Sequence, residues 1–494
     1  MSIVGRLAWS RWSATFAAAA VAGIALRIWV YRSVLGVPNS DEAIVGLMTQ
    51  HSSHGHLSTF YWGQAYGGSQ EVLLAVPGFL IAGSSWLALR IVPLALFLAG
   101  LVLVWRIGVR TIGERGGAAA AALYWIWPPW MIYELTHEWG FYGSDVVYCG
   151  LLLLLGLRIV ERPERARIAL FGLVLGLGFW ETSQIVPIAV AVVGWVLWKQ
   201  PRCFRQSWVA LPPAVLGALP WLIWNLLHHW GSLSLPSGAS SSYEFRLRVF
   251  VSPVLPMMLG LRTPFSQSPL GPAVLADAVY GGLLLLFAFG AYRARRQTAS
   301  LLYVVAAVYP FIYGLAAQTF NASDPRYLAA LTPVLVLIVA QSMTSWLRGT
   351  LVLVVAGALS VLTLHRMEPL PNDLTAGAPI APRSLAPLIA TLDRLHLDRV
   401  YTQYWLSYVL DFDTRERIIA VENKFLHVSF VDGQAVLPDV PVRYLPYEKD
   451  VKAGRHGIVL FRRGIASIPI VPELLRHGYR EIPTGPFIVF APPR

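Results

Sequence analysis

Long apolar runs separated by short arginine-rich loops set the pattern of the chain. A run of about 20 apolar residues is long enough to cross a bilayer as a helix. The pattern predicts about eleven such spans, and therefore an all-α polytopic membrane protein. They fall near residues 12–31, 86–106, 117–133, 145–160, 168–180, 185–198, 208–227, 276–292, 298–317, 327–346 and 350–365.

The apolar stretch from Val72 to Ala82 is shorter, contains Pro77 and lies between Glu71 and Gly83. If it crossed, the basic loop at 106–115 and its successors would move to the outer side. Cytoplasmic loops carry an excess of Lys and Arg. The charge pattern therefore favours a juxtamembrane helix here, with the N-terminus in the cytoplasm and the C-terminus outside.

Composition supports the membrane assignment. Of 494 residues, 56% are apolar and 13% charged, whereas soluble proteins carry about a quarter charged residues. The net charge of +12 does not indicate nucleic acid, because the basic residues cluster in the short loops between spans. Cys149 and Cys203 lie within or beside apolar segments, and neither is predicted to form a disulfide or bind metal.

Two domains are predicted. Residues 1–365 form the transmembrane domain, with external loops at 32–85 and 228–275. Residues 366–494 form a small external α/β domain, in which helix-like stretches alternate with short apolar runs. The strand-like runs are 399–402, 417–421 and 457–461, and the helix-like stretches are 383–396 and 472–478. Core packing is favoured over acceptor contact for the aromatic run 404–408.

The strongest chemical signal lies in the first external loop, where Asp41 and Glu42 follow Asn39 and Ser40. One interpretation is structural, since acidic residues are common in the first turn of a capped helix. The setting favours catalysis instead. A carboxylate at the membrane surface can take a proton from an acceptor hydroxyl while a lipid-linked substrate lies in the interface.

The order of these features resembles the GT-C glycosyltransferases, in particular the branch of protein O-mannosyltransferases and the lipid A aminoarabinose transferase. The Asp-Glu pair is followed by two juxtamembrane helices and a Leu-Arg step opening the second span. Three later features extend the resemblance, namely Asp145 at the start of a span, the Gly-rich run 176–183 and the Pro-Arg-Tyr-Leu step at 325–328.

This resemblance implies transfer of sugar from a polyprenyl-phosphate donor to an acceptor on the external face. It makes Asp41 the general base and Glu42 its neighbour. Arg326, Arg262 and Arg246 are the candidates for binding the donor phosphate, because a guanidinium group forms two parallel bonds to phosphate. An alternative role for each arginine is to anchor a span at the lipid headgroups.

Residues predicted to bind the acceptor or sugar are carboxylates, aromatic rings and polar side chains near the external ends of spans. For the segment around His137 and Glu138 a solvated loop is the favoured alternative, and for the aromatic residues an interfacial belt. No metal and no cofactor are predicted. The candidates are Asp145, Glu138, His137, Gln64, Tyr66, Glu71 and Trp180.

Two other classes of function stay open. A transporter or flippase of lipid-linked glycan would show repeats, broken helices or charges near the midplane, whereas the candidates here gather at external span ends. A membrane-anchored binding protein would act through its tail. The expected partners are a polyprenyl-phosphate sugar, a glycan, lipid or protein acceptor and membrane lipids, but no nucleic acid. The expected location is the bacterial inner membrane, with a periplasmic active site.

Overall fold

The computed structural model describes residues 3–234, 241–316, 319, 322–367 and 382–493. Residues 235–240 of the predicted second external loop, residue 317 of a predicted span and residues 368–381 of the predicted C-terminal domain lie outside this part. The chain forms two compact units. Unit 1 comprises Met1–Arg32, Tyr66–Glu71 and Arg90–Glu368, and unit 2 comprises Ser33–Ala65, Val72–Leu89 and Pro369–Arg494. The sequence-based boundary after residue 365 stays a prediction.

Each predicted span coincides with helical structure. The α-helices up to residue 366 are α1 (Ile3–Arg32), α2 (Ser40–Ser53), α3 (Gln70–Ala82), α4 (Trp86–Ile126), α5 (Pro129–Glu134), α6 (Tyr142–Glu161), α7 (Arg165–Glu181), α8 (Ile185–Lys199), α9 (Leu211–Gly217), α10 (Leu219–Leu227), α11 (Tyr243–Val249), α12 (Leu255–Met258), α13 (Ala273–Ala294), α14 (Ser300–Tyr313), α15 (Thr332–Ala340) and α16 (Trp346–Arg366).

Within the described residues, α1, α4, α6, α13 and α16 are long and apolar enough to cross a membrane individually. A sixth candidate span is bent by 62° between the segment Pro201–Gly217 and α10. Shorter apolar helices coincide with the predicted spans at 185–198, 298–317 and 327–346, and α7 coincides with the predicted span at 168–180.

Helix α4 contains two predicted spans and reverses at Gly113. The backbone of Gly113 has φ 82° and ψ 172°, which a glycine adopts without steric cost. A Cβ atom on Gly108 would lie 2.7 Å from the Cα of Gly117. Nine residues of continuous helix would separate these positions by about 13 Å. The two halves of α4 therefore fold back on each other around the basic loop.

Close helix packing explains the Gly-rich run at 176–183. A Cβ atom on Gly176 would lie 2.0 Å from the carbonyl oxygen of Ala214, and one on Gly172 would lie 2.0 Å from that of Ala210. On α9, Gly217 approaches α7 in return, since its Cβ would lie 2.6 Å from the amide nitrogen of Leu177. These glycines let the two backbones touch, so their role here is packing.

Unit 2 contains the predicted α/β elements. They are α17 (Ala386–Leu395), β1 (Arg399–Thr402), α18 (Tyr404–Asp413), β2 (Ile419–Glu422), β3 (Ser429–Val431), β4 (Gln434–Val436), α19 (Leu445–Ala453), β5 (Gly457–Phe461), α20 (Val471–Arg476), β6 (Arg480–Thr484) and β7 (Phe487–Ala491).

The five-stranded sheet of unit 2 has the order β2-β1-β5-β7-β6. In it, β1 is parallel to β2 and β5, while β7 is antiparallel to β5 and β6. The predicted strands at 399–402, 417–421 and 457–461 correspond to β1, β2 and β5.

Helix α2 belongs to the same unit and packs against α18. Gly46 on α2 faces the ring of Phe412, which a Cβ atom at this glycine would approach to 2.5 Å. This packing brings the first turn of α2, with Asp41, to the first turn of α18.

Candidate active site

The first turn of α2 holds Asp41 in a defined orientation. The side chain of Asn39 caps the helix, because its Oδ1 accepts a hydrogen bond from the amide of Glu42 at 3.1 Å. Asp41 is therefore not the cap. Its carboxylate Oδ1 accepts a hydrogen bond from the hydroxyl of Tyr404, and its carbonyl oxygen accepts one from the hydroxyl of Tyr61 at 2.5 Å. Glu42 is fully buried on the same turn.

Arg443 comes from the C-terminal segment, like Tyr404, and it adds a positive charge near Asp41. Its Nη1 donates to Oε1 of Gln64 at 3.0 Å, and its guanidinium carbon lies 5.8 Å from the ring centroid of Tyr404. Burial favours a neutral side chain, but Tyr404 and Asp41 outweigh it and hold the pKa of Arg443 above its usual value. Burial, and then the charge of Asp41, raise the pKa of Tyr404. Tyr404 therefore stays a hydrogen-bond donor and Arg443 a cation.

Gly63 allows the loop that carries Gln64 to approach Arg443. Its backbone has φ +73°, and a Cβ atom there would lie 2.6 Å from the Cα of Arg443. We expect Gly63→Ala to lower the free energy of unfolding by about 2–4 kcal/mol, from the left-handed backbone and the clash together. Gly55→Ala is the matched control, because Gly55 has φ +89° with nothing within 4 Å. Thermal unfolding in micelles should show the larger loss for Gly63→Ala, and equal losses would contradict the close approach.

Glu422 is a further carboxyl group near Asp41 that the sequence did not single out. Its side chain is 8% exposed. Burial raises the pKa of Glu422 to about 7, Asp41 acts in the same direction, and Arg443 opposes both. This group therefore changes charge near neutral pH, next to the proposed base.

This pKa predicts a pH-dependent stability. A carboxyl group whose pKa is raised on folding stabilises the protein below its unfolded pKa of about 4.3, and this contribution is lost as the pH rises through the folded value. We expect wild type to lose about 3 kcal/mol relative to Glu422→Gln between about pH 4 and pH 8. Denaturant unfolding in micelles measures the difference, with Glu481→Gln on the exposed side of β6 as the control. A constant difference across this range would contradict the prediction.

In unit 1, several predicted acceptor-binding residues meet in a buried cluster of carboxyl groups. Oε1 of Glu71 accepts hydrogen bonds from the amide and the hydroxyl of Ser144, both at 2.6 Å. The Ser144 hydroxyl also lies 3.0 Å from Oε1 of Glu181. Glu138 is hydrogen-bonded to Glu71, and Asp145 lies close enough to interact with it electrostatically. Ser144 thus lies between two buried carboxyl groups, those of Glu71 and Glu181.

The solvated-loop alternative for the segment before α6 is wrong. His137 is 1% exposed and Glu138 is fully buried. The ring of His137 stacks on that of Trp139 with 4.8 Å between centroids. The polar side chains of this segment lie in the interior of unit 1, where they pack against the carboxyl cluster and aromatic rings. Local sequence could not show this, because the partners come from α3, α6 and α7.

The three candidate phosphate-binding arginines have different surroundings. Arg326 lies at the start of a helical turn, and its Nε donates at 2.8 Å to Asp324, whose side chain is 2% exposed. Arg262 forms an ion pair of 3.1 Å with the exposed Asp277. Arg246 donates to the carbonyl oxygen of Gly314 at 2.7 Å and to Oγ of Ser241 at 3.2 Å. All three phosphate assignments stay predictions.

The remaining candidates fall in both units. Gln64 contacts Arg443 in unit 2. Tyr66 in unit 1 is 46% exposed, which leaves its ring accessible to a ligand. Trp180 is half-buried at the end of α7, next to Glu181 of the carboxyl cluster. Their predicted roles in acceptor binding stay predictions.

Sequence reasoning missed Tyr404, Arg443, Glu422, Asp324 and Ser144. Core packing was predicted for residues 404–408, and this is confirmed for Trp405 and Tyr408, which are 8% and 2% exposed. The signal for Tyr404 was its position at the start of the helix that follows β1, where a side chain can reach a neighbouring helix. Among the described residues, no group of three or more His, Cys, Asp or Glu side chains is arranged to hold a metal ion. The absence of a cofactor stays a prediction.

Comparisons with known proteins agree on one class. A family model described as dolichyl-phosphate-mannose-protein mannosyltransferase matches residues 73–224. The chain is similar to the crystal structure of ArnT from Cupriavidus metallidurans in the apo state, with TM-score 0.60 and 12% identity over 95% of this chain and 99% of that chain. The same protein bound to undecaprenyl phosphate gives TM-score 0.58 and 12% identity over 96% and 99%. No curated protein matches the sequence.

At this identity the structural similarity shows the fold, which is that of ArnT. The predicted fold class is confirmed, as is the resemblance to the GT-C glycosyltransferases. The prediction of a glycosyltransferase is supported by the family model and the fold together. The apolar helices and this fold also support an integral membrane protein.

Proposed function

We propose that this protein transfers a sugar from a polyprenyl-phosphate donor to an acceptor on the external, periplasmic face of a bacterial inner membrane. Asp41 is the general base. The observation that carries the proposal is the geometry of the first turn of α2. Asn39 caps the helix, while the half-buried carboxylate of Asp41 is held through one oxygen by Tyr404. Asn39 thus fills the capping role, and the structural role that still competes with catalysis is the favourable position of an acidic side chain in the first helical turn.

The reaction is a single displacement. The acceptor oxygen or nitrogen attacks the anomeric carbon, its proton passes to Asp41, and the bond from the anomeric carbon to the phosphate oxygen breaks. Polyprenyl phosphate leaves with the bonding electron pair. A carboxylate within hydrogen-bond reach of the acceptor contributes about 10²–10⁴-fold to such a step. Arg326 supplies positive charge for the leaving phosphate, where a guanidinium group can form two parallel bonds.

The lipid donor is supported by two observations on related proteins. The matched family is described by a dolichyl-phosphate-linked mannose, and ArnT has been solved with undecaprenyl phosphate. The positive loops between spans support the orientation, because they are expected on the cytoplasmic side. With those loops inside, α2 and the C-terminal segment face outward.

The test is sugar transfer by the purified full-length chain in nanodiscs. A panel of radiolabelled polyprenyl-phosphate sugars is supplied one at a time, with a membrane extract as acceptor. We expect incorporation from one donor, and the labelled product then identifies the acceptor as protein, lipid or polysaccharide. If no donor is consumed but the chain moves lipid-linked glycan across a vesicle membrane, the transporter alternative replaces this proposal.

A further inference from the structure

The N-terminal turns of α2 and α18 are joined by reciprocal hydrogen bonds. The hydroxyl of Ser40 donates to the carbonyl oxygen of Tyr404, and the hydroxyl of Tyr404 donates to Oδ1 of Asp41. With the bond from Tyr61 to the carbonyl oxygen of Asp41, both the backbone and the carboxylate of Asp41 are fixed. Because Oδ1 is held, the second carboxylate oxygen has a defined direction.

Arg443 is itself held in place. Its backbone amide donates to the hydroxyl of Tyr408 at 2.9 Å, and its Nη1 donates to Gln64 at 3.0 Å. The guanidinium carbon lies 5.8 Å and 5.9 Å from the ring centroids of Tyr404 and Tyr61. The cation is therefore fixed beside the two tyrosines that bind Asp41, close enough to interact with Asp41 electrostatically.

We propose that Tyr404 and Arg443 are positioning residues for Asp41, supplied by the C-terminal segment of the chain. Tyr404 orients the carboxylate so that its second oxygen meets the acceptor proton, and Arg443 holds a positive charge beside Tyr404 and the carboxylate. The inference rests on the proposed role of Asp41 as general base. Two residues of the α/β region, Tyr404 and Arg443, thereby contribute to the reaction as well as to the fold.

The titratable and charged groups that face Asp41 in unit 2 are Tyr61, Tyr404, Glu422 and Arg443. Removing the donor leaves the carboxylate of Asp41 without its fixed direction, which lowers kcat and leaves KM nearly unchanged. A purely structural defect would lower the melting temperature as well. Glu422→Gln tests whether the rate also depends on this neighbouring carboxyl group.

The main variant is Tyr404→Phe, which keeps the ring and removes the hydroxyl. We expect kcat to fall by about 10–100-fold, the range for a hydrogen bond to a charged group. KM for donor and acceptor should stay within about twofold. Arg443→Gln should also lower kcat. Arg443→Lys keeps the charge and should lower kcat less.

The matched control is Tyr447→Phe. The hydroxyl of Tyr447 donates to Oε1 of Glu416 at 2.7 Å, so this variant removes the same kind of bond in the same unit and leaves the bonds of Asp41 in place. It should keep the wild-type kcat and KM, and its melting temperature should fall by about as much as that of Tyr404→Phe. If Tyr404→Phe behaves like Tyr447→Phe while Asp41→Asn is inactive, the positioning role is overturned and the proposed function stands. If Asp41→Asn keeps wild-type activity, Asp41 is not the general base, and the positioning role that depends on it is excluded as well.

Discussion

Replacement of Asp41 with asparagine is expected to lower the rate of sugar transfer by about 10²–10⁴-fold, the contribution typical of a general base. Asparagine has nearly the shape of aspartate, and its side-chain oxygen can still accept the hydrogen bond from Tyr404. What it loses is the ability to take a proton. Single-turnover transfer in nanodiscs with saturating donor measures this loss directly, because it isolates the chemical step.

A capping variant provides the control. Asn39→Ala removes the bond to the amide of Glu42 at 3.1 Å and is expected to destabilise the protein by about 1 kcal/mol. Its transfer rate should stay close to that of wild type. Asp41→Asn should show the opposite pattern, with a low rate and an unchanged melting temperature. If both variants melt early and keep their rate, Asp41 is a structural residue.

Replacement of Arg326 with alanine is expected to raise KM for the donor by about 10–100-fold, the cost of losing charge-assisted bonds to a phosphate. KM for the acceptor should change little. The complication is structural, because Arg326 is paired at 2.8 Å with the buried Asp324. Removing one partner of a buried pair destabilises a protein by about 3–5 kcal/mol. Donor titrations therefore need to be read beside the melting temperature of each variant.

The double variant Asp324→Asn/Arg326→Gln separates the two effects. It removes both charges, so the stability should recover in part while donor binding stays weak. Arg248→Ala is the surface control, because Arg248 lies in an exposed pair of 3.2 Å with Glu244. If the double variant regains donor affinity together with stability, Arg326 serves the fold and another residue binds the phosphate.

The sequence predicted the elements well because their signals are local. Apolar runs placed the spans, and short alternating runs placed β1 at 399–402 and β5 at 457–461, as observed. The surroundings of Asp41 could not be predicted in the same way. Tyr404 and Arg443 lie in a distant part of the chain, and their approach depends on α18 packing against α2. The pairing of Arg326 with Asp324, two residues away, was within reach of the sequence alone.

Burial of polar groups was the other limit. The segment around His137 and Glu138 has the composition of an exposed loop, and its true environment depends on Glu71 and Ser144 from other helices. A carboxyl group tolerates burial when it finds hydrogen-bond partners. Tertiary packing determines those partners, and a local sequence pattern does not predict tertiary packing.

The sheet order has a consequence for biosynthesis. Strand β5 lies between β1 and β7, and β7 pairs with both β5 and β6. The ribosome makes α2 early, whereas residues 487–491 of β7 emerge after every other strand. The helix that begins with Tyr404 follows β1, so its support is complete only when β7 has joined the sheet. A nascent chain whose spans are already in the bilayer therefore carries Asp41 before the sheet that supports α18 is complete.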